Sequence, residues 1–394
     1  MELLRYIQEH WDDTVRMEQE GKDGMIGLPY EYYVPCMEGM FQELYYWDSF
    51  FTAKGLLLCG REKLVKSTVN NMLWLVEQFG YMPNGSHRGL LGRSQPPLLS
   101  EMVKDVYTIE QDKDWLEKAY AVLCKEYCFW QERRSTACGL SRYGYNMENG
   151  RIERYAQMIR NRLSGKDLSD RTDEDLVENY MSDAESGWDF NPRCDGQQTS
   201  FAYVDLNSIL YAMENNMAYF ASELNNGEEA LWQERAQVRL QGIRTLLYDG
   251  TVFLDYNCKT KNTATFSPVL LSIRCGRKQL PRSRRNPCIR ISIASKKPLD
   301  LLSVKKASAM RFISGTIPTA GLRCTIWWCM AWTATATSRT HSASRKSTLP
   351  RWSGFLKQQE RSGKNTTSPM VPFRSTTSTK CRQCWAGQPV SIWT

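Results

Sequence analysis

An apolar helical rhythm runs through about two-thirds of this 394-residue chain and stops near residue 270. Leu64, Val65, Val69, Met72, Leu73 and Val76 recur at helical spacing within Arg61–Gly80, as an amphipathic helix requires. Trp115, Leu116, Ala119, Val122, Leu123 and Trp130 repeat the pattern. Asp205 is the expected N-cap of a helix carrying Leu206, Ile209, Leu210, Met213, Met217 and Phe220. A further helix runs through Leu231, Ala236, Leu240, Ile243 and Leu247, after Asn225-Asn226-Gly227, which suits a helix-hairpin turn. Strand-like alternation is scarce. Residues 1–270 therefore read as antiparallel helical hairpins, and 271–394 as a separate, irregular or poorly ordered tail.

Charge divides at the same place. The chain carries a formal +8. The tail holds 23 Lys and Arg against two acids, Asp300 and Glu360, giving +21 and leaving −13 for residues 1–270. No apolar run approaches the ~18 residues of a membrane span. The opening residues carry Glu2, Arg5, Glu9, Asp12 and Asp13, which breaks any secretory apolar core. With thirteen Cys at spacings unlike a metal site, the chain reads as a cytoplasmic protein with reduced thiols. Cys381-x-x-Cys384 stands without a second pair and there are three His, so no metal or cofactor is expected.

Four segments exceed what core packing explains. Residues Glu43 to Phe51 crowd five aromatics and two carboxylates into nine positions, including Trp47 and Asp48. Pro83-Asn84-Gly85 is a turn. Arg93-Ser94-Gln95 precedes Pro96-Pro97, which stiffen the backbone. Glu185-Ser186-Gly187-Trp188-Asp189-Phe190 combines two acids, a glycine and two aromatics. Sugars call for this mixture, because aromatic faces pack on C–H faces while carboxylates, amides and Arg hold hydroxyls. Singly, each has a plainer explanation: Trp47 and Trp188 as core aromatics, Asp48 and Asp189 as helix N-caps, Arg93 as a surface cation, Asn84 as a turn residue. Four together in one helical chain tip the balance.

These segments, in this order and at about this spacing, resemble the trehalase family of glycoside hydrolases. Gly139-Leu-Ser-Arg-Tyr143 followed by Arg151-Ile-Glu153-Arg-Tyr155 is similar to the family's Arg-Pro-Glu segment, with Ile152 for Pro. The resemblance covers about residues 25–270. It implies an all-α (α/α)6 barrel that hydrolyses α,α-trehalose to two glucoses with inversion and without a metal. Asp189 matches the general acid. Trp47, Asp48, Asn84, Arg93, Ser94, Gln95, Arg151, Glu153 and Gly187 match sugar-binding positions. Met40 departs from the Arg the family usually places before the Phe at Phe41.

Inversion needs two carboxyl groups roughly 6.5–9.5 Å apart, one protonating the leaving oxygen and one activating water. The family's base is a Glu in a late Glu-Tyr segment before Gly-Trp-Thr, which this chain lacks. The tail, however, reads as the right gene in the wrong frame. Taking each codon's third base as the next codon's first, Ile313–Gly321 permits Gln-Trp-Asp-Tyr-Pro-Asn-Gly-Trp, a family signature. Residues Ile326–Thr335 permit Met-Val-Val-His-Gly-Leu-Asp-Arg-Tyr-Gly. Residues Thr377–Gln388 permit Glu-Tyr-Glu-Met-Pro-Ala-Met-Leu-Gly-Trp-Thr, with the missing Glu encoded across Thr377 and Ser378. Arg274–Leu280 follows the same offset. One slip near Leu270–Leu271 accounts for all four stretches. The competing reading, a basic nucleic-acid-binding tail, leaves them unexplained.

The sequence thus points to a trehalose-cleaving hydrolase crippled by loss of its base. The alternatives are another (α/α)-barrel α-glucosidase, kept open by Met40, and a non-catalytic sugar-binding remnant. The expected partner is a small disaccharide, with neither nucleic acid nor membrane. Without an apolar stripe, the tail should exchange its backbone amides faster than the Arg61–Gly80 helix; hydrogen exchange read by mass spectrometry checks this, and equal protection would contradict it.

Overall fold

The computed structural model describes residues 2–147, 151–191, 193–250 and 252–264, together with two short strands at 271–274 and 290–293. Beyond residue 264 only those strands, β6 (Leu271–Arg274) and β7 (Arg290–Ile293), fall within the described residues, paired antiparallel with Leu271 opposite Ile293. They were not anticipated from the sequence. The rest of the expected irregular tail, with Cys381 and Cys384, lies outside the described residues.

Nine α-helices build the described part: α1 (Glu2–Glu9), α2 (Tyr46–Leu58), α3 (Glu62–Phe79), α4 (Leu99–Glu110), α5 (Lys113–Glu132), α6 (Ile152–Arg162), α7 (Asp173–Ser186), α8 (Val204–Leu224) and α9 (Glu229–Leu246). Five two-residue strands pin loops: β1 (Val15–Arg16) on β2 (Tyr32–Tyr33), and β3 (Phe201–Ala202), β4 (Tyr256–Asn257) and β5 (Asn262–Thr263) in one small antiparallel sheet. The spacing-based helices over 61–80, 115–130, 206–220 and 231–247 correspond to α3, α5, α8 and α9.

Helices α8 and α9 form a hairpin closed at Asn225, whose φ of 50° terminates α8. Helix α3 packs on α2, α4 and α5, and α8 packs on α4 and α5. The apolar stripes supply the core, with Val65, Val69, Met72 and Val76 of α3 and Leu116 and Leu123 of α5 all buried. One expectation fails. Asp205 is not the N-cap of α8; that place is Tyr203, with no side-chain cap. Asp205 instead pairs with Arg193 at 3.0 Å, and Arg193 also binds Asp255 at 2.7 Å. The charged guanidinium holds both oxygens of the acid, so Asp205 reaches only the adjacent Leu206 amide, at 2.9 Å, and not the later amides a cap would serve.

The hairpin core contains a buried ion pair. Arg239 donates through Nε to Glu214 at 2.7 Å and through Nη1 to Asn207 at 2.9 Å, while the Tyr127 hydroxyl donates to Glu214 at 3.0 Å. Both charged side chains are buried. Removing one partner strands the other in low dielectric, so Arg239→Leu should destabilise the protein by about 3–5 kcal/mol. Arg5→Ala, which breaks an exposed pair with Glu9, should leave the midpoint unchanged. Urea unfolding of the two variants tests the contrast.

Candidate active site

Helix α7 explains how its C-terminal end is aimed. Thr172 caps its start by accepting from the Asp175 amide at 3.2 Å, and Asp173, Glu174 and Asp175 complement the dipole of the first turn. Every residue from Asn179 to Ser186 is buried. The helix ends at Gly187, with φ 79°. That conformation, and the 2.4 Å at which a Cβ would meet the Trp47 ring, require glycine. The chain then turns sharply and presents Trp188 and Asp189 on an accessible rim.

Helix α2 brings the facing wall. Its first turn carries Trp47 and Asp48, so Asp48 lies inside the helix and is not its N-cap, which is Tyr45. Trp47 and Trp188 meet edge to face at 6.0 Å. Trp188 is 39% exposed, so the core-aromatic explanation does not apply to it. The Trp47 amide donates to Gln95 Oε1 at 3.0 Å.

The loop from Met82 to Gln95 closes the floor. Asn84 is buried and far more than a turn residue. Its amide donates to the Arg93 carbonyl at 2.9 Å, its Nδ2 to the Ser94 carbonyl at 3.2 Å, and its own carbonyl accepts from the Tyr46 amide at 3.1 Å. Ser94 donates through its hydroxyl to the Met82 carbonyl at 2.6 Å and through its amide to Glu185 at 2.8 Å. Arg93 is half-buried, and its Nε makes no hydrogen bond among the described residues. Its charge acts on Asp189.

The electrostatics concern acids set close together. Asp189 stays accessible at the rim, yet desolvation by the neighbouring protein pushes its carboxyl above the ordinary value, against the pull of Arg93 and then Arg162. Burial pushes Asp48 up to about 6, its own backbone amide opposing and the Asp189 charge adding. Asp183, one turn back on α7, is pushed up to about 8 by burial; the Asn191 amide opposes and the Asp189 charge adds. Asn191 donates its backbone amide and its Nδ2 to Asp183 at 3.0 and 2.7 Å. Asp48, Asp183 and Asp189 therefore share one field.

Of the residues singled out from sequence, Trp47, Asp48, Arg93, Gly187 and Asp189 come together, with Asn84, Ser94 and Gln95 bolting the loop behind them. Arg151 and Glu153 are not tied to this group by any hydrogen bond or ion pair among the described residues. Arg151 lies 3.1 Å from where a Cβ on Gly89 would stand, and Glu153 is exposed in the first turn of α6. Sequence reasoning missed Asp183, Arg162 and Arg134. Arg162, the last residue of α6, lies 4.1 Å over the Phe190 ring. Arg134, just past α5, grips Glu185 through Nε and Nη2 at 2.8 and 2.9 Å. A separate open cavity of about 510 Å3, lined by Lys166, Arg171, Asp175, Asn179 and Asp195, contains none of the Asp189 group.

The raised Asp183 carboxyl sets a pH dependence. Its proton is held in the folded state up to about pH 8 and lost in the unfolded chain near 3.8. Between those values the folded state binds more protons, so stability falls as pH rises through that window. Asp183→Asn should flatten the slope, as measured by urea midpoints at pH 4.5, 6 and 7.5.

Residues 2–274 match the family model described as Trehalase. Over 285 residues the chain is 29% identical to proteins named periplasmic trehalase from two strains of Xanthomonas campestris pv. campestris, covering 66% of this chain and 49% of each relative. It spans about half the length of these curated relatives. Neutral trehalase Nth1 from Saccharomyces cerevisiae has a similar fold, with TM-score 0.52 and 26% identity over 66% of this chain and 56% of that one.

Proposed function

The chain belongs to the trehalase family of glycoside hydrolases, with that family's (α/α)6 helical fold, and we propose that its Asp189 recess is the acid half of an inverting site for α,α-trehalose. The observation that carries this is the convergence of Trp47 and Asp48 at the start of α2, Asp189 just past the end of α7 and Arg93 in the Met82–Gln95 loop. Trp47 and Trp188 offer aromatic surface to a pyranose ring. The unpartnered Arg93 Nε supplies a donor for a hydroxyl, and Asp48 an acceptor. Asp189 gives its proton to the glycosidic oxygen as the bond breaks, and desolvation keeps that proton available. Arg151 and Glu153, matched from sequence, would complete the sugar contacts from the α6 side.

The second carboxylate of the reaction is missing from the chain as written. We read residues 271–394 as the family's last third displaced by one base, with the base Glu encoded across Thr377 and Ser378. The family match ending at residue 274 supports this, as does the charge step at the same place. The chain as written then binds sugar without turning it over, which is also the behaviour of a sugar-binding remnant. Met40, 53% exposed in the loop before α2, keeps a different α-glucoside open as substrate. No helix among the described residues is long and apolar enough to cross a membrane. The Xanthomonas relatives are named for the periplasm and lend no support to the cytoplasmic placement expected from sequence.

A DNA read across the Leu270 codons, followed by expression of both reading frames, provides the test. The restored-frame protein should release glucose from trehalose, and the chain as written should not. Asp189→Asn in the restored frame should lower kcat by about 10²–10⁴-fold while retaining sugar binding. Glucose release at an unreduced rate by the chain as written would overturn the account of the base. Preferential cleavage of kojibiose, nigerose or maltose would reassign the substrate.

A further inference from the structure

Cys138 and Cys258 lie 120 positions apart in sequence, yet their Sγ atoms are 2.9 Å apart. Neither is bridged. Their backbones are held independently. Cys138 sits in the tight loop after α5, where Ser135 bridges Ser141 and Thr136 binds the Leu140 carbonyl through its amide at 2.9 Å and its hydroxyl at 2.7 Å. Cys258 follows β4, and its amide donates to the Ser200 carbonyl at 2.8 Å. Both side chains rest on the apolar cluster of Leu140, Ala202, Leu240 and Leu247. Each is only half-buried, so a small oxidant can reach it. The two sulfurs need approach by only about 0.9 Å to reach covalent S–S length.

We infer that Cys138 and Cys258 form a redox clasp, a dithiol that small disulfides oxidise to a bridge joining the loop after α5 to the β4–β5 turn. With oxidised glutathione, one thiolate attacks a glutathione sulfur and expels a glutathione thiolate, leaving a mixed disulfide. The second cysteine then attacks the protein-bound sulfur and displaces the other glutathione. Two protein thiols are oxidised, one glutathione disulfide is reduced to two thiols, and the two protons end on those thiols. Cys138 starts the sequence. The hydrogen bond from Cys258 leads the effects that bring its thiol down to about 6, burial opposing and Thr136 helping, while the same bond pushes Cys258 up. The bridge would close a loop holding α6 to α9. It would also fix the turn three residues beyond Asp255, the partner of Arg193. The clasp stands whether or not the recess binds sugar.

The full chain is incubated with oxidised glutathione, blocked with an alkylating agent, digested and mapped by mass spectrometry. A Cys138–Cys258 linked peptide is expected. The thermal midpoint should rise by about 5 °C on oxidation, return on reduction, and stay put in both Cys138→Ser and Cys258→Ser. Full alkylation of both thiols after exposure that modifies other cysteines would overturn the inference. So would a linkage from Cys138 to a different cysteine. The mapping uses the unmodified chain, so its outcome does not depend on either serine variant folding.

Discussion

The pair between Glu185 and Arg134 is the contact on which the recess depends. Glu185 is fully buried at the end of α7 and takes both arms of the Arg134 guanidinium. It also accepts the Ser94 amide at 2.8 Å and the Gly144 amide at 2.6 Å. One carboxylate thereby fastens the helix that presents Asp189, the loop that presents Arg93, the exit of α5 and the chain leading towards α6. All four donors are charged or backbone N–H groups, so the burial of this acid is matched by strong hydrogen bonds. Such a knot fixes geometry more than it adds net stability, since a buried pair barely offsets its desolvation.

The acids in front of that knot behave differently. Glu185 is saturated with donors, whereas Asp48 and Asp189 face a partly open recess, and the Asp189 charge acts on Asp48. Desolvation without full pairing is what raises a carboxyl group above its ordinary value. Two acids four residues apart on one stretch, Glu185 and Asp189, are thus divided between support and chemistry by their surroundings alone.

Much of this was legible in the sequence. Helices α3, α5, α8 and α9 follow from apolar spacing, and the hairpin at Asn225 from its turn residues, because local patterning dictates both. The cluster of Trp47, Asp48, Arg93, Gly187 and Asp189 was legible through composition that core packing does not explain, and through likeness to a family. Arg134, Asp183 and Arg162 were not. Each is an ordinary residue type inside a helix or just past its end, and its significance comes from partners 51, 8 and 28 positions away (Glu185, Asn191 and Phe190). The N-cap expected at Asp205 failed for the same reason, since local preference yielded to Arg193, a partner that one-dimensional patterning does not reveal. Likewise, nothing in the spacing of Cys138 and Cys258 announces their meeting.

The proton held by Asp183 has one more consequence. Counted from sequence, Asp48, Asp183 and Asp189 would bring three negative charges to the recess, enough to gather cations. With Asp183 holding its proton up to about pH 8, Asp48 pushed up to about 6 and Asp189 raised by desolvation, and with Arg93 and Arg162 acting on Asp189, the recess is less negative than that count. An uncharged polyol of the kind proposed above would then displace little of an ion atmosphere, and its affinity should depend only weakly on ionic strength.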